Sequence, residues 1–218
     1  MSEAQKAHEL NLNEKYDSEG RFLPLVEEFY TIQGEGFNTG KAAWFIRLGG
    51  CDVGCSWCDS RFTWNPEMHP LAGTDEIVRK AVDSGTDSVV VTGGEPLIWN
   101  LDYLCKELKN RNIFTFIETS GAYPLSGIWD WICLSPKKNM PPVEEICRKS
   151  NELKVIIQDA GDFEWAETCS KLVGNKCQLY LQPEWGRFEK IIPEVVEYVK
   201  KNLKWKISLQ SHKFMHIP

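Results

Sequence analysis

The chain has 218 residues, 42% of them hydrophobic, and a formal net charge of −6. That is enough for one domain with its own core, and the acidic balance argues against broad electrostatic binding to nucleic acid or to an anionic membrane. No apolar run reaches the roughly 18 residues of a spanning helix, and the polar start Met1-Ser2-Glu3 is no signal peptide.

Residues 1–20 are polar and lack an apolar period; they are expected to form a flexible N-terminal segment, leaving 21–218 as a single domain. From Leu25 onward short runs rich in β-branched and aromatic residues recur, and strands are expected at 43–48, 88–92, 114–118, 131–134, 153–157, 178–182 and 205–209. Between most of them lie stretches of helical character: 74–84, 96–109, 142–149, 162–173 and 191–202. Thr74 followed by Glu76, and Pro96 in a first turn, read as helix starts. Strand–helix alternation implies βαβ units, right-handed crossovers and a mostly parallel sheet. A full eight-unit barrel needs ~250 residues, so an incomplete TIM-like β/α barrel of about six core parallel strands is the fitting fold class. In such folds the chemistry sits at the C-terminal ends of the strands.

The strand over 43–48 runs into Gly-Gly-Cys-Asp-Val-Gly-Cys-Ser-Trp-Cys-Asp-Ser, which places Cys51, Cys55 and Cys58 in the spacing C-x3-C-x2-C with no fourth cysteine nearby. Thiolates are preferred ligands of iron–sulfur clusters and of zinc, and one short loop can wrap such a group. Three thiolates on a four-iron cubane leave one iron open, which a catalytic site needs and a structural site avoids. A zinc knuckle completed by a distant residue such as His69 is the alternative. The other five cysteines, at 105, 133, 147, 169 and 177, lie in apolar or helical surroundings and read as buried small hydrophobes. Eight cysteines in a chain this long fit the thiols of a reducing cytoplasm better than a disulfide framework.

Polar residues and glycines then recur just past successive strands: Thr92-Gly93-Gly94-Glu95-Pro96, Glu118-Thr119-Ser120-Gly121, Ser135-Pro136-Lys137 and Gln182-Pro183-Glu184-Trp185. Each alone is ordinary turn chemistry; together they mark one rim. Two glycines let backbone approach a ligand closely, and the helix start after them offers free amides to a carboxylate.

With Tyr30-Thr31-Ile32-Gln33-Gly34-Glu35-Gly36 upstream, and Gln210-Ser211-His212-Lys213 followed by Phe214-Met215-His216-Ile217-Pro218 at the end, the chain resembles the radical S-adenosylmethionine (SAM) superfamily. Within it, the chain resembles the 7-carboxy-7-deazaguanine synthase family of queuosine and 7-deazapurine biosynthesis, from about Leu25 to Pro218. The resemblance implies a [4Fe-4S] cluster on Cys51, Cys55 and Cys58, SAM at the open iron, and Mg2+ ligated by Ser60. It implies a SAM cradle of Trp57, Cys58, Asp59 and Gly94 with Ser135, Pro136 and Lys137, closed by Gln182, Pro183 and Glu184. The substrate it implies is 6-carboxy-5,6,7,8-tetrahydropterin, whose C6 hydrogen is taken by the SAM-derived radical rather than by a side chain. Ile32, Gln33, Gly34, Arg47, Thr92 and the carboxylate of Pro218 are the implied contacts. Glu35 joins them on its chemistry, since a flat ring rich in donors and acceptors needs amide and carboxylate partners. Arg47 suits the substrate carboxylate through its planar fork. Against these roles stand a mutual Glu35–Arg47 salt bridge, a turn or N-cap hydroxyl at Ser60, and a merely packed tail. The resemblance also implies a homodimer, a flavodoxin or ferredoxin as electron donor, and a cytoplasmic location. The rival functions are a glycyl-radical enzyme activase and a non-catalytic iron–sulfur or zinc protein.

Overall fold

The structure, a computed structural model, describes residues 18–218. The expected flexible segment therefore lies outside the described residues except for its end. There the Ser18 carbonyl accepts from Asn100 and the Gly20 carbonyl accepts from the Thr74 hydroxyl at 2.6 Å.

Nine strands form one sheet: β1 (Phe22–Ile32), β2 (Ala42–Leu48), β3 (Leu71–Gly73), β4 (Ser88–Gly93), β5 (Phe114–Thr119), β6 (Trp131–Leu134), β7 (Glu152–Ile157), β8 (Gln178–Pro183) and β9 (Trp205–Ile207). The order is β3-β1-β2-β4-β5-β6-β7-β8-β9, parallel from β2 to β9 and antiparallel for β1 against β2 and β3. The end strands β3 and β9 do not pair, so the sheet curls without closing, as the incomplete barrel requires. All seven runs read as strands from sequence are the parallel ones. No strand is read from sequence before 43–48, yet Phe22–Ile32 make an 11-residue strand. Pro24, Glu27 and Glu28 break its apolar alternation, and a register shift between Leu25 and Glu27 absorbs the break.

Crossover helices α1 (Thr74–Asp83), α2 (Asp102–Lys109), α3 (Glu144–Lys149), α4 (Gly161–Ser170) and α5 (Phe188–Lys201) are joined by a short α6 (Ser211–Met215) near the C-terminus. The helix expected over 96–109 is split. A 3-10 turn at Pro96–Ile98 precedes α2, because buried Trp99 turns its indole N–H to the Gly49 carbonyl at 2.8 Å. The core fills with Ile46, Leu48, Val89, Val91, Ile117, Leu134, Leu153, Val155 and Leu181, which point outward to the helices Ile77, Leu104, Ile146 and Ala166 come from. Alternate residues then face inward: Thr92, Glu118, Ser135, Lys154 and Gln182, all on the wall of one cavity.

Several smaller expectations change. Cys105, Cys133, Cys147 and Cys169 are buried as expected, but Cys177 is only half-buried. Of the strand tryptophans, whose place in strands favours a core position, Trp205 is buried in the core, whereas Trp44 and Trp131 are half-buried. Trp131, the first residue of β6, stacks on Phe37 of the β1–β2 loop at 4.6 Å.

Candidate active site

A cavity of about 280 Å³ opens at the C-terminal ends of the strands. Cys51, Cys55 and Cys58 border it, as do Trp57, Asp59, Ser60, Thr92, Gly94, Ser135, Lys137, Gln182, Pro183 and Glu184. Ile32, Gln33, Gly34, Glu35, Arg47 and Pro218 complete the expected set on the same wall. Pro136 is the exception. It is buried behind the rim and off the cavity wall, because Ser135 and Lys137 flank it with their side chains turned inward.

The cysteine loop is held from outside. Gly50 N–H donates to the Thr63 carbonyl at 2.6 Å and Cys51 N–H to the Trp64 carbonyl at 3.1 Å. Asn139 reaches the Val53 carbonyl, and the Tyr123 hydroxyl donates to Asp52 at 2.5 Å. Such anchoring fixes the thiols without using them. Burial pushes the Cys51 thiol up to about 12, with Glu95, Cys55 and Asp52 adding negative charge beside it. A thiolate there needs a cationic partner, which an iron–sulfur cluster provides. Cys55 is also raised by burial, and Lys137 works against that rise.

The donor set favours a cluster over a zinc knuckle. Among the described residues no three His, Cys, Asp or Glu side chains converge where a single ion would sit. Zinc needs such convergence, with every thiolate about 2.3 Å from one ion. In a cubane each cysteine takes its own iron, so the sulfurs stand apart. His69, the candidate for completing a zinc site, lies 2.9 Å from the Phe62 carbonyl instead. Three thiols bordering one opening fit the cluster.

The Gly93-Gly94 pair has a reason beyond ligand approach. A Cβ on Gly93 would lie 2.1 Å from the Leu48 carbonyl oxygen, where φ is +144°. One on Gly94 would lie 2.3 Å from the Gly50 carbonyl oxygen and 2.7 Å from Cys51 Cβ. Only glycines let this strand end pack directly on the cysteine loop. The amides expected to be free at the following helix start are not. Glu95, 1% exposed, accepts from Leu97 N–H at 3.1 Å, and also from Thr119 Oγ1 at 2.5 Å, Ser120 N–H at 2.7 Å and the Ser120 hydroxyl.

On the rim, Lys137 donates to the carbonyl and hydroxyl of Ser135 and lies 5.6 Å from the Trp57 ring centroid. Burial lowers the Lys137 ammonium, and Cys55 opposes that fall. Gln182 is buried and accepts from the Ser208 hydroxyl at 2.6 Å, while Glu184 caps Gly186 N–H. Ser60 Oγ donates to Asp59 at 3.1 Å; it precedes a 3-10 turn but makes no side-chain cap. Asp59 in turn accepts from Lys213 of α6 at 2.8 Å. Burial would raise Asp59, and the Lys213 hydrogen bond and charge outweigh it.

The mutual Glu35–Arg47 salt bridge does not form. Arg47 Nε donates to Glu27 at 2.7 Å across the β1–β2 ladder, where the two residues are directly paired. Glu35 instead meets Lys154 at 2.5 Å, and Lys154 also meets Glu118 at 2.7 Å. Gln33 Nε2 donates to Glu118 at 3.1 Å, and Gln210 Nε2 to Glu35 at 2.9 Å. Burial would raise Glu35, but the Lys154 charge and its hydrogen bonds hold it down to about 2. Glu118, Lys154, Gln210 and His212 also border the cavity; the sequence places Glu118 in a rim run and Gln210 and His212 in the C-terminal motif but assigns none of the four a ligand role. A signal existed for Lys154: one cation inside the apolar run Leu153–Ile157. His212 sits against Gly34, where a Cβ would lie 2.2 Å from Nδ1, and burial lowers its imidazolium. Of the tail's apolar residues, Phe214 packs edge-on to Trp185 at 5.2 Å, yet both Phe214 and Met215 are exposed.

The Radical SAM superfamily pattern matches residues 45–138. The 7-carboxy-7-deazaguanine synthase of Flavobacterium psychrophilum is 53% identical over 199 residues, covering 91% of this chain and 94% of that protein. That of Synechocystis sp. is 46% identical, covering 89% and 93%. The crystal structure of QueE from Escherichia coli superposes with a TM-score of 0.78 at 27% identity, covering 96% of this chain and 99% of that one. These relatives set aside both the activase and the non-catalytic metal protein. The cysteine loop, the open barrel and the relatives agree: the chain belongs to the 7-carboxy-7-deazaguanine synthase family and is a radical SAM enzyme with a [4Fe-4S] cluster and SAM.

Proposed function

We propose that the chain converts 6-carboxy-5,6,7,8-tetrahydropterin to 7-carboxy-7-deazaguanine with release of ammonia. The observation that supports it most is that one cavity is bordered both by the three cysteines and by an acceptor-rich wall of Gln33, Glu35 and Glu118 with Arg47 nearby. Cys51, Cys55 and Cys58 would hold the cluster, and with SAM bound it would supply the radical chemistry for hydrogen abstraction at C6 of the pterin. Everything else is positioning by this chain. Trp57, Asp59, Gly94, Ser135, Lys137, Gln182, Pro183 and Glu184 hold SAM, with Cys58 beside it. Ile32, Gln33, Gly34, Glu35, Thr92 and Pro218 hold the pterin, whose ring N–H groups need acceptors. Arg47 takes the substrate carboxylate: its present partner Glu27 is 45% exposed, so that pair is weakly held and easily shared. Ser60 Oγ and the adjacent Asp59 carboxylate are hard oxygen donors suited to Mg2+, which typically keeps several waters.

The family resemblance adds a homodimer and a flavodoxin or ferredoxin donor to the proposal, and the unpaired cysteines add a cytoplasmic location. No helix among the described residues is long and apolar enough to cross a membrane. The deciding experiment is anaerobic reconstitution followed by incubation with SAM, reductant, Mg2+ and the carboxy-tetrahydropterin. The expected result is the deazaguanine chromophore. SAM cleavage with no deazaguanine formed would overturn the assignment.

A further inference from the structure

We infer that Lys154 is a positioning residue, a single buried cation that sets Glu35 and Glu118 together as an acceptor-only wall for the N–H edge of the substrate. This rests on the pterin reading above. Lys154 lies in the middle of β7 and is 3% exposed. An unpaired ammonium there would be costly, and an apolar residue would suit its neighbours Leu153, Val155 and Ile156 better. Its Nζ instead meets one oxygen of each carboxylate, Glu35 Oε2 and Glu118 Oε2, at 2.5 and 2.7 Å. The second oxygens are fixed by amides: Glu35 Oε1 accepts from Gln210, and Glu118 Oε1 accepts from Gln33. Gln33 cannot turn over, because its own Oε1 accepts from Glu35 N–H at 3.0 Å. Four separate parts of the chain are thereby locked into one wall of the cavity.

The charge matters as much as the geometry. Two carboxylates brought together with no cation between them keep one proton, as paired carboxyls do. A protonated carboxyl presents a donor where the pterin edge needs an acceptor. The other groups facing Lys154 do not supply a substitute cation. Cys133 is pushed well up by burial and Glu152 is raised by burial, while His212 is lowered by burial and Lys137, also lowered by burial, is engaged with Ser135. Burial alone would lower the Lys154 ammonium too, but the negative groups around it raise it.

The test compares wild type, Lys154→Met and Lys154→Arg as reconstituted holoenzymes with SAM. Direct binding of the carboxy-tetrahydropterin is titrated from about pH 6 to about pH 9, alongside SAM cleavage without pterin. Wild-type affinity is expected to be flat across this range. Lys154→Met should bind about a hundredfold more weakly, the scale of a broken buried ion pair. Its binding should improve as pH rises and the shared proton leaves, while SAM cleavage is unchanged. Lys154→Arg should restore most of the affinity. Wild-type affinity with a flat profile in Lys154→Met, or no rescue by Arg, would overturn the inference. If Lys154→Met does not fold, carboxyl 13C resonances of the wild-type protein decide instead: Glu35 ionised at pH 4 supports the clamp, and Glu35 protonated there removes it. A wild-type holoenzyme that cleaves SAM but does not bind the pterin would refute the proposed substrate, and the Glu35 titration would still report on the clamp.

Discussion

Replacing Glu95 by Ala should unfold the rim long before it affects chemistry. The carboxylate is 1% exposed and accepts from two backbone amides, Leu97 and Ser120, and from the hydroxyls of Thr119 and Ser120. The hydroxyls can rotate to other partners. The two amides cannot, and a buried unsatisfied donor costs about 1–3 kcal/mol. Two of them, with the small cavity left by the side chain, give a loss of about 4 kcal/mol. For a chain of this size each kcal/mol moves Tm by about 2–4 °C, so the cluster-free protein should melt about 8–16 °C lower. Glu95→Gln keeps the shape and one acceptor oxygen, but turns an NH2 group toward donors, and should fall between the two. Differential scanning fluorimetry of the three proteins under reducing, anaerobic conditions measures this. A drop of under ~3 °C for Glu95→Ala would show that water or a shifted loop satisfies those amides, and the clamp reasoning would be wrong.

Gly94→Ala should lower iron bound per chain after anaerobic reconstitution, since its Cβ would press on Gly50 and on Cys51 itself; full iron loading would show that the loop can yield. Any of Cys51→Ala, Cys55→Ala and Cys58→Ala should abolish SAM cleavage, while Cys105→Ala, on a helix away from the cavity, should leave iron content unchanged. Ser60→Ala should cut turnover and blunt the response to added Mg2+ more than it weakens SAM binding; an unaltered Mg2+ dependence counts against Ser60 as ligand. Glu35 is held at about 2 against an ordinary 4.5, so its contribution to stability is fully present above pH 4.5 and lost as pH falls toward 2. Urea midpoints measured between those limits should therefore decline less steeply in Glu35→Gln than in wild type, and parallel declines would contradict the ion pair.

The features legible in sequence are those written within a few neighbouring residues. Cys51, Cys55 and Cys58 lie on one loop, so their spacing alone points to a thiolate-held metal group. The seven parallel strands show the same locality, because β-branched and aromatic runs need only their own composition to favour an extended chain. The first strand was not legible in this way. Pro24, Glu27 and Glu28 argue against a strand in isolation, and what makes Phe22–Ile32 extended is the waiting edge of β2, paired from Leu25 to Ile32. The partners of charged side chains were hidden for the same reason. Arg47 stands opposite Glu27 through the strand register, not opposite Glu35, and no local pattern records that pairing. Lys154 meets Glu35 across 119 positions of sequence and Glu118 across 36. Periodicity shows that a residue faces inward. Which residues then meet at one level depends on strand tilt and stagger, properties of the whole curled sheet rather than of any segment within it.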